Sequence, residues 1–240
     1  MNADQFSIEP IELGRRTADT SLFLYLTDPG TPIAIAYRVW VLRSATRTLL
    51  VDTGPPLQEA KRRGLTHVID VVAALANAGI DANQVDTILL THLHWDHAAN
   101  ADRFPKATFY AQRREIEFFR SHSRQHPAID RFFSHQAYLA SLIDNGRIRE
   151  IDGDVTLPGG LEALKVGGHT PGSQMFCVPT PAGEAIITGD AIPLHRNYLE
   201  RIPSGILTDV FEAVAALEQV ALRRPALIYT GHDVESHLRL

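Results

Sequence analysis

A single cysteine, Cys177, stands among 240 residues, so an internal disulfide is excluded. Its apolar setting, Met175-Phe176-Cys177-Val178, reads as a buried inert thiol rather than a nucleophile. Long apolar runs are missing as well. No stretch reaches the roughly 18–20 residues that a membrane helix needs, and no membrane association is expected. The opening Met1-Asn2-Ala3-Asp4-Gln5 has neither the basic nor the apolar region of a secretory signal, which points to a cytoplasmic chain. An excess of positive charge is also lacking: the formal net charge is −5 with histidine neutral. The basic groups Lys61-Arg62-Arg63, Arg113-Arg114 and Arg223-Arg224 are short and read as solvated helix faces, so a nucleic-acid partner is not expected. Solenoid-length repeats and low-complexity tracts are not evident.

What remains is ordinary in bulk, with 45% hydrophobic and 21% charged residues. The length allows one large core or two fused half-domains. Apolar, β-prone stretches at 21–27, 33–42 and 48–51 read as strands, the first two separated by the turn Asp28-Pro29-Gly30. Residues 68–78 have helical spacing and stop at Gly79. Further strands are expected at 85–90, 107–110, 148–151, 161–166, 174–178, 185–188 and 226–230. Residues 112–145 read as helical, with Pro127 separating two segments. Residues 208–222 read as an amphipathic helix with Val210, Phe211, Val214, Leu217 and Val220 on one side. The pattern alone supports mixed α and β; the recurrence of helices between strand groups suggests two packed sheets with helices outside.

Histidine is the unusual component, at eleven residues. His92-Leu93-His94-Trp95-Asp96-His97 places four ligand-type side chains directly after an apolar strand. Imidazole and carboxylate suit zinc and related divalent ions. His92 and His94, two apart, face one way on an extended backbone, while Asp96 and His97 must turn toward a second point. Three later sites repeat one device, a β-run, a glycine and then a ligand-type residue: Gly168-His169, Gly189-Asp190 and Gly231-His232. The remaining histidines, His67, His122, His126, His135 and His237, read as surface or capping residues.

The ordered set of His-x-His-x-Asp-His, a His169-Thr170-Pro171-Gly172 turn, Gly189-Asp190 and a late Gly231-His232 resembles the metallo-β-lactamase superfamily. Val51-Asp52-Thr53-Gly54 resembles its early Asp-x-Gly turn. The resemblance implies an α+β fold, a four-layer αββα sandwich, as one domain over 1–240 with a helical insert or lid around 112–145. It implies two Zn²⁺ ions, other divalent metals being possible. His92, His94 and His169 would hold the first metal and Asp96, His97 and His232 the second, with Asp190 bridging.

An aspartate at position 190 disfavours the β-lactamases proper, and the stretch His94-Trp95-Asp96-His97-Ala98, the run Gln112-Arg113-Arg114-Glu115 and the ending Gly231-His232-Asp233-Val234-Glu235 resemble quorum-quenching N-acyl-homoserine lactonases. That resemblance implies opening of a lactone, or a related ester or cyclic amide, by hydroxide bridging two metals, with Asp96 and Asp190 catalytic and Asp96 passing a proton to the leaving alkoxide. The implied partner is a small-molecule substrate with an apolar part, acted on by a monomer or homodimer. Trp95, Phe118, Phe119 and Leu194 are candidate pocket residues. The tyrosine that such lactonases carry after the bridging aspartate is absent; His195 and Tyr198 are the candidates to replace it. Ser173 also stands where a histidine is usual. Other activities of the fold remain alternatives, namely thioester or phosphodiester hydrolysis and mono-iron persulfide dioxygenation, beside a non-catalytic sensor role.

Overall fold

The computed structural model describes residues 4–240. The first sheet is built from β1 (Ser7–Asp19), β2 (Pro32–Arg43), β3 (Thr48–Val51), β4 (Thr87–Leu89), β5 (Thr108–Gln112) and β6 (Ile148–Ile151). They lie in that order, antiparallel from β1 to β3 and parallel from β3 to β6. Between them lie α1 (Leu57–Arg62), α2 (Val71–Asn77), α3 (Trp95–Ala98), α4 (Arg113–Arg120), α5 (Pro127–Asp130) and α6 (Gln136–Asp144). The second sheet contains β7 (Val155–Thr156), β8 (Glu162–Lys165), β9 (Gln174–Thr180), β10 (Gly183–Gly189), β11 (Leu227–Thr230) and β12 (Leu238–Arg239), with α7 (His195–Glu200) and α8 (Val210–Arg223) inserted between β10 and β11. β10 and β11 are parallel and the other pairs antiparallel.

Three apolar layers hold these elements together, as expected of an αββα sandwich. Trp40, Leu42, Val51 and Leu89 meet Phe176, Val178 and Ile187 between the two sheets. Leu75, Phe109, Phe119 and Leu142 lie in the layer joining α2, α4 and α6 to the outer face of the first sheet. Met175, Ile186, Leu217 and Val220 pack α8 onto the second. No helix among the described residues is long and apolar enough to cross a membrane.

Several expectations fail for local reasons. Residues 21–27 are not a strand. Asp19 accepts hydrogen bonds from Ser21 N at 2.9 Å and Gly30 N at 2.8 Å, and positive φ at Leu26 and Asp28 turns the chain back. The long strand β1 lies upstream; its charged residues, Glu9, Glu12 and Arg15, belong to an edge strand with a solvated face. The apolar side of α8 is rotated from the expected one. Ala213, Ala216, Leu217 and Val220 are buried, whereas Phe211 is 83% exposed and Val214 42% exposed. Small alanines, which carry little periodic signal, make the packed face. Within 112–145 there are three helices; Pro127 opens α5, where its missing N–H costs nothing, and a positive φ at His135 precedes α6.

Candidate metal centre

β8, β10 and β11 run the same way through the second sheet, so their carboxyl ends share one edge of the sandwich. The carboxyl end of β4 reaches that edge from the first sheet. His92 and His94 follow β4, and Asp96 and His97 sit on the short α3. His169 follows β8, Asp190 follows β10 and His232 follows β11. The preceding glycines have a physical reason. Gly189 has φ +50°, and a Cβ there would come within 2.7 Å of Thr91. A Cβ on Gly231 would come within 2.6 Å of Asp190 Oδ1.

All seven side chains are buried and converge. Donor atoms of His92, His94 and His169, of His92, His97 and Asp190, and of Asp96, His97 and His232 form three groups, each with its atoms within 4.8 Å of one another. Asp190 joins the groups: Oδ1 is 3.2 Å from His97 Nε2 and 3.0 Å from His232 Nε2, while Oδ2 is 3.5 Å from His169 Nε2. Asp96 Oδ2 lies 3.7 Å from His97 Nε2 and 3.6 Å from His232 Nε2.

The outward nitrogens are tied down. His169 Nδ1 donates to the Ile206 carbonyl at 2.6 Å, and His232 Nδ1 to the Ala36 carbonyl at 2.9 Å. His97 Nδ1 lies 2.8 Å from Asp52 Oδ2. These bonds select tautomers whose Nε2 lone pairs face the centre. His169 Nε2 and His94 Nδ1 then confront each other at 3.0 Å. His92 Nε2, His97 Nε2 and Asp190 Oδ1 are buried and find no hydrogen-bond partner. Unpartnered buried acceptors aimed at shared points are costly unless a cation sits between them. The donor set therefore fits a pair of divalent metals, with two imidazole-rich groups and a shared carboxylate.

Electrostatics divides the cluster. Burial and neighbouring imidazoles hold His92 and His94 well below the ordinary histidine value. Burial would lower His97 and His232 too, but Asp190 and Asp96 overcome it and raise both. Asp190 is held well below the ordinary carboxylate value by His232 and His97, against its burial.

A deeper set of residues holds the loops. Buried Glu115 on α4 accepts from Leu93 N at 2.9 Å, Thr170 Oγ1 at 2.6 Å and Gly172 N at 3.1 Å, joining the His92–His94 and His169 loops. Asp52 accepts from Thr91 N at 2.7 Å and Thr91 Oγ1 at 2.8 Å. Asp52 was legible as part of an Asp-x-Gly turn, but its task, holding His97, was not.

A cleft of about 390 Å³ opens onto the cluster. Trp95 lines it, together with Phe132 from the helical segment 112–145 and with Phe23, Tyr37 and Ile206, which no motif marked. Phe132 stacks on His94, ring centroids 5.1 Å apart, and Tyr37 meets His232 at 5.0 Å. The other expected pocket residues lie outside that lining. Phe119 and Phe118 pack into the layer under α4, because their side of the helix faces the sheet. Leu194 is 1% exposed behind Trp95. His195 turns to Asp233, 3.7 Å from its Oδ2, and Tyr198 packs against the layer under α8. His67, His122, His126, His135 and His237 are exposed, and His126 caps α5. A larger groove of about 640 Å³ lies at the opposite edge, at the amino ends of β3 and β4, lined by none of the seven donors.

The Metallo-beta-lactamase superfamily model matches residues 36–232, a span containing every one of these donors. The chain belongs to the metallo-beta-lactamase superfamily. Among its relatives, an N-acyl homoserine lactonase from Bacillus sp is 25% identical over 242 residues, covering 94% of this chain and 92% of the relative. An N-acyl homoserine lactone hydrolase solved with N-hexanoyl-L-homoserine at its catalytic metal center superposes with a TM-score of 0.81 at 22% identity, covering 97% of this chain and 95% of that one. AidC, a dizinc quorum-quenching lactonase, superposes with a TM-score of 0.75 at 15% identity, over 100% and 92% of the two chains. The four-layer metallo-beta-lactamase fold is thus shared over nearly the whole chain, and the protein is a hydrolase of that superfamily.

Proposed function

We propose that this metallo-beta-lactamase homologue opens a lactone, or a related ester, in a small molecule with an apolar part. The observation that carries this reading is the convergence of seven buried donors, among which His92 Nε2, His97 Nε2 and Asp190 Oδ1 have no hydrogen-bond partner. His92, His94 and His169 would hold one metal and Asp96, His97 and His232 the other, with Asp190 shared, and zinc is the ion that the donor chemistry favours. Such a pair supplies Lewis acidity and water made acidic enough to yield hydroxide at neutral pH.

The rest is the work of the chain. Asp190 and the tied imidazoles are preorganised by their backbone partners, so no donor must reorient during turnover. Asp96, buried beside His232 and lining the cleft, would carry a proton to the leaving alkoxide oxygen. Burial and the nearby Asp96 and Asp190 raise the Tyr37 phenol above its ordinary value, so it stays a neutral O–H donor on the cleft wall. Tyr37 thereby offers the phenol missing after Asp190 and can hold a substrate carbonyl. Phe23, Trp95, Phe132 and Ile206 form apolar walls suited to a hydrocarbon part. The helical segment around Phe132 serves as one side of the cleft. The lactonase relatives, aligned over nearly their full length, favour a lactone over a thioester or phosphodiester.

The test is a panel of lactones, esters, cyclic amides, thioesters and phosphodiesters, with metal content measured on the same sample. Lactone turnover with two zinc ions per chain is expected, and His94→Ala should lose metal and turnover together. A metal-free yet active His94→Ala protein would falsify the scheme, and a single iron with oxygen-dependent turnover would favour the dioxygenase.

A further inference from the structure

The cleft that opens onto the seven donors is not merely apolar. Three arginines line it: Arg16 from β1, Arg63 just beyond α1 and Arg131 just beyond α5. Arg63 is spoken for. Its Nε and Nη2 donate to Glu59 Oε1 at 2.8 and 2.6 Å, its Nη2 also to the Arg131 carbonyl at 2.8 Å, and its guanidinium lies 4.4 Å above the Trp95 ring. Arg16 and Arg131 are different. Neither forms an ion pair or a side-chain hydrogen bond among the described residues. The Nε of Arg16 is buried with no partner, and its positive charge reaches Tyr37. The Arg131 guanidinium rests 4.9 Å from the centre of the Phe132 ring, the ring that covers His94. Several other arginines are matched with acids, among them Arg124 with Asp130, Arg114 with Glu212, and Arg223 with both Glu162 and Glu184. The carboxylates lining the cleft are Asp96 and Asp190, both committed to the metal cluster.

Arg16 is half-buried with its Nε desolvated and unpartnered, so an anion that reaches it restores a charge-assisted hydrogen bond, whereas Arg131 is exposed and presents an unpaired fork on the cleft wall. Two guanidinium groups free of acid partners, contributed by different elements, thus line the cleft that opens onto the donors.

We propose that Arg16 and Arg131 select a substrate whose non-reacting part ends in a carboxylate, so that the enzyme prefers acidic lactones to neutral ones. This rests on the lactone-opening reading above and deepens it. The apolar walls at Phe23, Phe132 and Ile206 take the hydrocarbon between the scissile ring and the acid, and the guanidinium forks take the terminus. Arg63 packs Trp95, and its fork is already engaged by Glu59 and the Arg131 carbonyl.

The experiment uses two lactones with the same ring and tail length in the zinc-loaded protein: N-hexanoyl homoserine lactone, whose tail ends in methyl, and N-adipoyl homoserine lactone, whose tail ends in carboxylate. The expected kcat/KM ratio favours the adipoyl compound by about tenfold or more. That ratio should fall about tenfold in Arg16→Gln and in Arg131→Gln, and should be partly kept in Arg16→Lys. Added salt should shrink it as well. A preference for the hexanoyl compound, or a ratio that both glutamine variants leave unmoved, overturns the proposal while leaving lactone opening intact. If neither lactone is opened, the lactone-opening reading fails by itself, and calorimetric binding of the two ring-opened acids decides the arginines. Tighter binding of N-adipoyl homoserine, lost in Arg16→Gln and Arg131→Gln, sustains the selection of an acidic tail. Equal dissociation constants overturn it.

Discussion

His97 Nδ1 lies 2.8 Å from Asp52 Oδ2 across 45 residues of chain, with both side chains almost wholly buried. The contact fixes the tautomer and ring orientation of a candidate ligand from the carboxyl end of a neighbouring strand. Asp52 itself has φ +63°, a left-handed conformation that aspartate tolerates better than most residues.

Replacing that carboxylate tests the arrangement directly. Asp52→Asn keeps size and most packing but removes the charge that holds His97. Metal affinity is expected to fall about 10–100-fold, as for other groups that orient a ligand. Equilibrium dialysis with zinc reads this, and circular dichroism should show the fold retained.

Stripping metal should loosen the whole edge where the two sheets meet. Binding at a hundredfold excess over Kd stabilises by about 2.7 kcal/mol. For a chain of this size that corresponds to a fall of about 5–10 °C in Tm on chelation, restored by zinc. An unchanged Tm, with zinc binding shown separately to be absent, would mean that the seven donors do not hold metals.

Tyr37→Phe deletes one hydroxyl from the cleft wall and leaves the ring against His232 and Trp95. Zinc content should be unchanged. If the phenol holds the substrate carbonyl as the transition state forms, kcat/KM falls about 10–100-fold. Equal activity would return that role to another group.

The rotated face of α8 gives a stability contrast. Leu217→Ala empties a packed position and should cost about 2–5 kcal/mol. Phe211→Ser, at an exposed position, should stay within about 0.5 kcal/mol. Urea denaturation of the two variants distinguishes them, and the reverse order would restore the face read from the larger side chains.

Burial, with Glu184 and Glu162 nearby, pushes the Cys177 thiol up to about 12. At pH 8 the folded protein should hold the proton and resist a disulfide reagent, while the unfolded chain, with an ordinary value near 9.0, reacts. Labelling should therefore track unfolding. A fast stoichiometric reaction under native conditions would contradict the buried placement.

The metal ligands were legible because their signal is local. His92 to His97 crowd four donors into one turn, and His169, Asp190 and His232 each follow a strand and a glycine. Residues 33–42 could be read as a strand because their β-prone, largely apolar residues suffice. β1 could not, since an edge strand with a solvated face mixes Glu9, Glu12 and Arg15 into its pattern.

What the amino-acid order determined by itself was the set of donors, the main strands and the family to which they belong. Only the folded chain decided that Asp52 would grip His97, that Phe132 rather than Phe118 or Phe119 would stand over His94, and that Arg16 and Arg131 would line one cleft. The physical reason is range. Periodicity and turn chemistry act over a few residues, whereas these contacts join segments that meet only when two sheets close on a shared core.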